Sequence, residues 1–589
     1  MSIDEKNIVH SKYESYPIPT ISVAEFIHQS LSSTIEANAD HVALIDWING
    51  TKWTYSELDR IARTIGHSLI HSISNPIIST DIVMFYGDNC PKYVQMVLSM
   101  TYLGLTITPS TPANGPYETY RQLINSNASI LCITGSKIPI ILKILDNNEY
   151  RSKFIEQLKL LIIIDDCLER VDDQQLQNKI EQASIRQVYT IKQLIDNSNE
   201  QLKMIPHFPI NSPMDPYVIV YTSGSTGVPK GAIQTHRSFI ASVKAMLHKN
   251  AFINNRNGII NFIFPLGHIS GTVFSINCLC SRMTIIPLPE SATYEQIVSL
   301  IQKYRVTVQI VSLSLANQLL NDNDNRTRYD LSSLQSMYFS GSRLSANVSL
   351  GLIEKFSINM YEVYGATEFM GCVTNNGQYE PGKIGSPLPN VQMKVIDHND
   401  DHNGRALPPM KNGEICFRGP NCFAGYLNNP LATNQTIDSD GWYHSGDIGY
   451  FDSDGNLFIT DRIKELIKYK HWTVAPSEIE AFLQTHPSIV ASCCVGVKHE
   501  TEGQHIRAYV QLMDNCKNDI DDKTIINYVK DNMGYQNRLN GGVQFVDHVP
   551  RISMGKVDRQ YFKRLVEHEL IYQEADIMNN NGLDYYKQI

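Results

Sequence analysis

Three short stretches of this 589-residue chain hold the groups that phosphate chemistry needs. The run Thr222-Ser-Gly-Ser-Thr-Gly-Val-Pro-Lys-Gly231 has Gly, Ser or Thr at seven of ten positions. That composition removes bulk, supplies hydroxyl donors and lets backbone N–H groups converge on an anion. Lys230 adds a positive charge, and the apolar run Tyr217–Tyr221 leads in as a strand, so the loop is a seat for nucleotide phosphates. It is not a Walker A loop, because Gly224 and Gly227 are too close and Gly231 follows Lys230. Tyr364-Gly-Ala-Thr-Glu368 joins an aromatic face, a slender glycine, a hydroxyl and a carboxylate able to hold Mg2+. In Gly446-Asp447 a carboxylate sits at a turn where it can bond both hydroxyls of a ribose. Taken singly, these are more often a flexible loop, a strand-to-loop turn and a plain turn. Their order along one chain argues otherwise. Two cationic segments complete the set, Asp461-Arg462-Ile-Lys464-Glu465 and Pro550-Arg-Ile-Ser-Met-Gly-Lys556-Val-Asp-Arg559, each of which alone reads as a solvated surface patch.

The elements that must position these groups follow from periodicity. Apolar strands at 41–46, 81–86, 105–108, 129–134 and 160–164 alternate with helical segments, one from Ser56 (a fair N-cap) and another over 93–103. That alternation predicts an α/β body with mainly parallel sheets. It continues through 258–264, 283–287, a helix over 293–304 and 306–311, and the polar stretch from Asn321 reads as an exposed loop. Beyond about residue 390 the rhythm changes to short strands with turns, a small antiparallel sheet or barrel. A compact αβ pattern follows from Ile467 to about Leu565. The expected organisation is a large body over 1–462, a smaller α+β domain over 463–565, and a poorly ordered tail over 566–589.

Composition bounds the function. Hydrophobic residues make up 42% and charged residues 19%, which describes a globular chain with a sizeable core. The formal net charge of -10 argues against a duplex-binding surface, and no nucleic-acid partner is expected. Eleven cysteines without C-x-x-C spacing point to buried thiols in a reducing, intracellular setting. The first thirty residues lack a signal-like apolar segment, and the longest apolar region, 258–289, is broken by Pro265, His268 and Arg282, so no membrane span is expected. The last residues, Tyr585-Tyr-Lys-Gln-Ile589, do not match a peroxisomal tripeptide, which leaves a cytoplasmic location as the expectation. Oligomeric state is not legible.

In this order the motifs resemble the adenylate-forming family of acyl-CoA synthetases, coumarate-CoA ligases and firefly luciferase, over about Ala43 to Arg564. The resemblance implies that Thr222, Ser223, Gly224, Ser225, Thr226, Gly227 and Lys230 grip ATP phosphates. Ser340, Gly341, Ser342, Tyr364 and Gly365 would frame the adenine, Thr367 would contact the α-phosphate, and Glu368 would ligate Mg2+. Asp447 and Arg462 match the ribose contacts, and His268 a histidine beside the acyl site. Lys464 matches the hinge, and Lys556 the catalytic lysine of a mobile C-terminal domain.

The implied reaction activates a small-molecule carboxylic acid as an acyl adenylate with release of pyrophosphate, then transfers the acyl group to the thiol of coenzyme A. Glu368-bound Mg2+ and the Lys556 ammonium would offset the meeting of two anions. Aryl, medium-chain and long-chain acids all remain open. Amino acids are disfavoured because 265–271 carries no acidic residue for a substrate ammonium. Two departures stand out. His471 occupies a glycine position of the thiol channel, and Gly267 precedes His268 where an aromatic is usual, an expected widening of the acyl pocket. Two other readings share these residues: a luciferase-like monooxygenase that passes the adenylate to O2, and a nucleotide-binding protein with an impaired thioester step.

Overall fold

The computed structural model describes residues 3–164, 187–196, 208–222, 229–248, 257–322, 328–340, 344, 346–371, 373–375, 377–397, 404–469, 472–499, 502–517, 519–534, 537–552 and 556–569. Two large sheets make the body. The eight-stranded sheet runs, edge to edge, through Gly425–Tyr426, Lys230–Thr235, Pro216–Thr222, Thr106–Ser110, Ile82–Tyr86, Ile130–Ile133, Leu160–Ile163 and Val188–Thr190. From Pro216–Thr222 onward its neighbours pair in parallel. The strands are short, apolar and almost wholly buried, as parallel strands covered on both faces must be.

The second sheet has fourteen strands. Its parallel part joins Thr284–Pro287, Ile259–Phe262, Val308–Ile310, Ser336–Ser340 and Asn359–Tyr364. The antiparallel part expected as a small barrel is hydrogen-bonded strand by strand onto this sheet. It passes from Asn359–Tyr364 through Val373–Thr374 and Lys383–Pro387 to Leu457–Arg462, Tyr443–Phe451, Gly413–Arg418 and Gln392–Ile396. The residues 364–368 therefore leave the end of a parallel strand where the sheet changes character, the position at which open α/β sheets form crevices.

Helix starts are set by side-chain caps. The helix expected from Ser56 spans Tyr55–His71 and is capped two residues earlier, by Thr54, whose hydroxyl accepts the Glu57 N–H while Glu57 reaches back to the Thr54 N–H. That reciprocal pair satisfies two of the donors orphaned at a helix start, which a cap at Ser56 would leave open. The helix over Tyr294–Tyr304 uses Thr293 and Gln296 in the same way.

The C-terminal part has cores of its own. Its five strands, including the hairpin Ile489–His499 with Gly503–Leu512, bury Ile479, Leu483, Cys494, Val510 and Val529 on one side and Cys493, Tyr509 and Phe562 on the other. Residues 559–569 continue as helix past the expected tail boundary, because Val566 is buried in that core and Glu569 pairs with Arg507 at 2.5 Å. The rest of the expected tail, 570–589, lies outside the described residues. Among the described residues no helix is long and apolar enough to cross a membrane.

Candidate active site

Lys230 pairs with Thr222 and Gly231 with Tyr221, so the two strands that flank the phosphate-loop candidate are antiparallel neighbours. A Cβ on Gly231 would lie 3.0 Å from Ile219 and 3.2 Å from Tyr221, a close fit that glycine relieves. Lys230 holds its ammonium 5.2 Å above the Tyr426 ring, a cation–π contact. Ser223, Gly224, Ser225, Thr226 and Gly227 lie outside the described residues, as do Gly341, Ser342 and His471.

One cavity of about 740 Å3 gathers most of the other candidates. Thr222, Lys230, His268, Ser340, Gly365, Thr367, Glu368, Asp447, Arg462 and Lys556 all line it. They arrive from both large sheets and from the C-terminal part, so residues up to 334 positions apart in sequence meet at one void. Lys464 lies in the short turn Ile463–Glu465 that follows Arg462.

The turn after Tyr364 is held from behind. Gly365 passes so close to Gly371 that a Cβ would sit 2.8 Å from its nitrogen. The Gln234 amide donates to the Thr367 carbonyl at 2.7 Å, and Gln234 accepts in turn from the Ser238 hydroxyl at 2.8 Å. Glu368 accepts the Tyr426 hydroxyl at 2.6 Å. Gln234 and Tyr426 were not picked out in the sequence; their only signal is position, on strands that pair with one another next to the loop.

Asp447 is buried, and burial pushes its carboxyl up from the ordinary aspartate range against the pull of Arg462. Arg462 Nε stands 3.0 Å from Asp447 Oδ1, the two residues being cross-strand partners. Tyr364 donates its hydroxyl to Asp447 Oδ2 at 2.5 Å and turns its ring toward Phe417. The tyrosine expected at the adenine thus also holds the Asp447 carboxylate through its hydroxyl.

His268 caps the helix Ile269–Cys280. Its Nδ1 accepts the Ser270 N–H at 3.3 Å and lies 2.8 Å from the Ser270 hydroxyl, which places the ring proton on Nε2. Burial, aided by the Lys556 charge, pushes its pKa down to about 4, so the imidazole is neutral at pH 7. Gly267 corrects an expectation. A Cβ there would lie 2.0 Å from the Ser110 carbonyl oxygen, so the backbone of Ser110 fills the space of the missing ring and the acyl pocket is not widened by it.

Lys556 reaches the cavity from the C-terminal part. Burial and the neighbouring Arg462 guanidinium push its pKa below the usual lysine value, with Asp447 and Glu465 pulling the other way. Glu465 is a further residue that spacing did not reveal; it lines the cavity and also accepts from Arg559 Nε at 3.0 Å.

The fold and this cavity define a two-part nucleotide-handling protein of the adenylating type, and comparison with known proteins agrees. Residues 31–427 match the model of the AMP-binding enzyme family and residues 478–556 that of the AMP-binding enzyme C-terminal domain. The chain belongs to this adenylate-forming family. It is similar to 4-coumarate–CoA ligase 1 of Arabidopsis thaliana, 30% identical with 94% of each chain covered. Luciferin 4-monooxygenase of Luciola mingrelica is 26% identical, over 96% of this chain and 98% of the relative. Among solved structures, ATP-bound MatB from Rhodopseudomonas palustris superposes with a TM-score of 0.75 over 92% of this chain and 98% of that one, at 22% identity, a likeness of fold.

Proposed function

We propose that this enzyme joins a carboxylic acid to coenzyme A in two steps, through an acyl adenylate formed from ATP with release of pyrophosphate. The observation that carries the reading is Lys556: a desolvated ammonium brought by the C-terminal part into the cavity that Thr367, Glu368, Asp447 and Arg462 line. Two like charges, Lys556 and Arg462, line the same cavity and repel, Lys556 half-buried and Arg462 exposed. An anionic nucleotide relieves that repulsion, and the transition state, with more charge on the α-phosphate oxygens, relieves it further.

In the first step the substrate carboxylate attacks the α-phosphate in line with the departing pyrophosphate. Lys556 stabilises the equatorial oxygens, and Thr367 donates its hydroxyl to them. The 222–231 loop, with Lys230, holds the leaving pyrophosphate. Asp447 and Arg462 bind the ribose, while Ser340 and Gly365 stand at the adenine side. Glu368, a hard oxygen donor fixed by Tyr426, suits Mg2+, which when bound supplies positive charge to the phosphates. Neutral His268 donates its Nε2 proton toward the acyl group without adding charge that would repel Lys556.

In the second step a thiol attacks the acyl carbon and AMP leaves. Lys556 has no part there, so the domain of about 463–565 turns about Lys464 to withdraw it and bring another face of the domain to the cavity. The test is pyrophosphate release from ATP with a panel of aryl and aliphatic acids, with and without coenzyme A. Thioester formed with at least one acid is the expected result. Adenylate that accumulates with every acid and never passes to the thiol would overturn the reading.

A further inference from the structure

Behind the turn that carries Asp447, three side chains of different chemistry converge on one point. Cys416 and His444 are cross-strand partners, and Glu414 stands on the same strand two residues before Cys416. The register shifts between Glu414, which is opposite Ile448, and Cys416, which is opposite His444, a bulge-type irregularity in this strand pair. His444 Nδ1 lies 3.0 Å from Glu414 Oε2 and 3.7 Å from Cys416 Sγ. The ligand atoms of all three residues fall within 4.8 Å of one another. On the far side of the ring, His444 Nε2 lies 3.5 Å from Asp438 Oδ2.

We propose that Glu414, Cys416 and His444 form a binding site for Zn2+ or a similar thiophilic divalent ion, distinct from the Mg2+ position at Glu368. Tetrahedral zinc with ordinary bond lengths sets sulfur and nitrogen about 3.6 Å apart, and nitrogen and oxygen about 3.4 Å apart. The observed 3.7 and 3.0 Å need adjustments of a few tenths of an ångström. The mixed S, N, O donor set selects zinc over magnesium, which has little affinity for thiolate. Asp438 completes the pattern by facing the second ring nitrogen, the carboxylate–histidine arrangement that fixes a metal-bearing imidazole. Glu414 and His444 border the cavity, which leaves a fourth position for water.

Charge and protons balance. Binding releases the thiol proton and the Nδ1 proton to solvent, and Zn2+ with one thiolate and one carboxylate is neutral, as a half-buried site requires. Lys394, paired in register with Cys416, eases ionisation of a thiol that burial and Glu414 otherwise push up. Glu414 also accepts the Gly446 N–H through its other oxygen at 3.1 Å, so the ion would tie the strand Gly413–Arg418 to the Asp447 turn.

The test is titration of the full-length, chelator-dialysed protein with CoCl2 as the spectroscopic stand-in. One equivalent should produce the near-ultraviolet thiolate-to-cobalt band and the visible bands of a tetrahedral site, both bleached by ZnCl2. Cys416→Ser should abolish the near-ultraviolet band, and Asp438→Asn should weaken binding by roughly 10- to 100-fold. ZnCl2 should raise the melting temperature of the wild type and not that of Cys416→Ser. His444→Gln keeps every thiol and covers the case in which Cys416→Ser does not fold. No thiolate band, a band that survives Cys416→Ser, or unchanged affinity in His444→Gln would overturn the site and leave His444 as a histidine clamped between two carboxylates.

Discussion

The interior of the C-terminal domain holds a buried cation, Arg559, and the cavity it shares with the body a half-buried one, Lys556, three residues away. Arg559 lies in the domain interior, bonded to both oxygens of Glu480, to the Cys494 carbonyl at 2.7 Å and to Glu465 at 3.0 Å. Desolvation works against its charge, but the Glu480 carboxylate overrides it and holds the guanidinium well above its usual pKa. Lys556 lies in the cavity, where desolvation and Arg462 outweigh Asp447 and Glu465 and its pKa falls. One cation is satisfied by the fold; the other is left short of compensation that a bound anion would supply. The domain thus spends a planar, bidentate donor on structure and keeps a compact point charge for chemistry.

Removing the satisfied cation should have the larger and less selective effect. Arg559→Ala leaves Glu480 buried and unpaired, at a cost of about 3–5 kcal/mol. Chemical denaturation should show the C-terminal domain losing its structure first, and both half-reactions should fall together. If Arg559→Ala instead lost only adenylation, with unfolding unchanged, the division between the two cations would be wrong.

Lys556→Ala is the opposite case. Taking a desolvated charge out of the cavity should leave the melting temperature unchanged or raised, while adenylate formation drops on the order of 100-fold or more, about 2.7 kcal/mol. Acyl transfer from a supplied adenylate should persist. Equal losses in both steps would break the assignment of Lys556 to the first.

Much of this was legible before any coordinates, and the reason differs between regions. Alternating apolar strands and helices declared the α/β body because burial on both faces leaves so little freedom in their composition, as in Ile82–Tyr86 and Leu160–Ile163. The cavity residues were legible as types at fixed spacings. Spacing did not reveal that the Tyr364 hydroxyl bonds Asp447, 83 residues away, a tertiary contact that no local pattern encodes. Gln234 and Tyr426 escaped for the same reason. Gly267 carries a second lesson: its neighbour is the Ser110 backbone, which only a tertiary fold brings to it.

A smaller effect probes the body side of the cavity. Glu368→Gln keeps the shape and the Tyr426 hydrogen bond but removes the charge suited to Mg2+. Pyrophosphate release should fall on the order of tenfold, about 1.4 kcal/mol, and recover partly as magnesium is raised. An unaltered magnesium dependence would make Glu368 a partner of Tyr426 and nothing more.

The smallest effect links the two sides, through His268. Its pKa is about 4 in the folded protein against an ordinary value of 6.5, with burial the main cause and the Lys556 charge the second. Between those values the unfolded chain holds a proton on this imidazole that the folded protein lacks, so folding stability rises with pH across the window. The full contribution is present above the unfolded value and is lost as pH falls toward 4. One unit below the unfolded value the loss is about 1.4 kcal/mol. His268→Gln should therefore flatten the fall in melting temperature between pH 6.5 and 4, leaving the part owed to His236, whose pKa burial also pushes down to about 4. Lys556→Ala should flatten it less, because it removes only the charge and leaves the burial. Should Lys556→Ala leave the acid slope as in the wild type while His268→Gln reduces it, the lysine would not stand close enough to the imidazole to act on the same substrate, and the cavity would have to be divided between them.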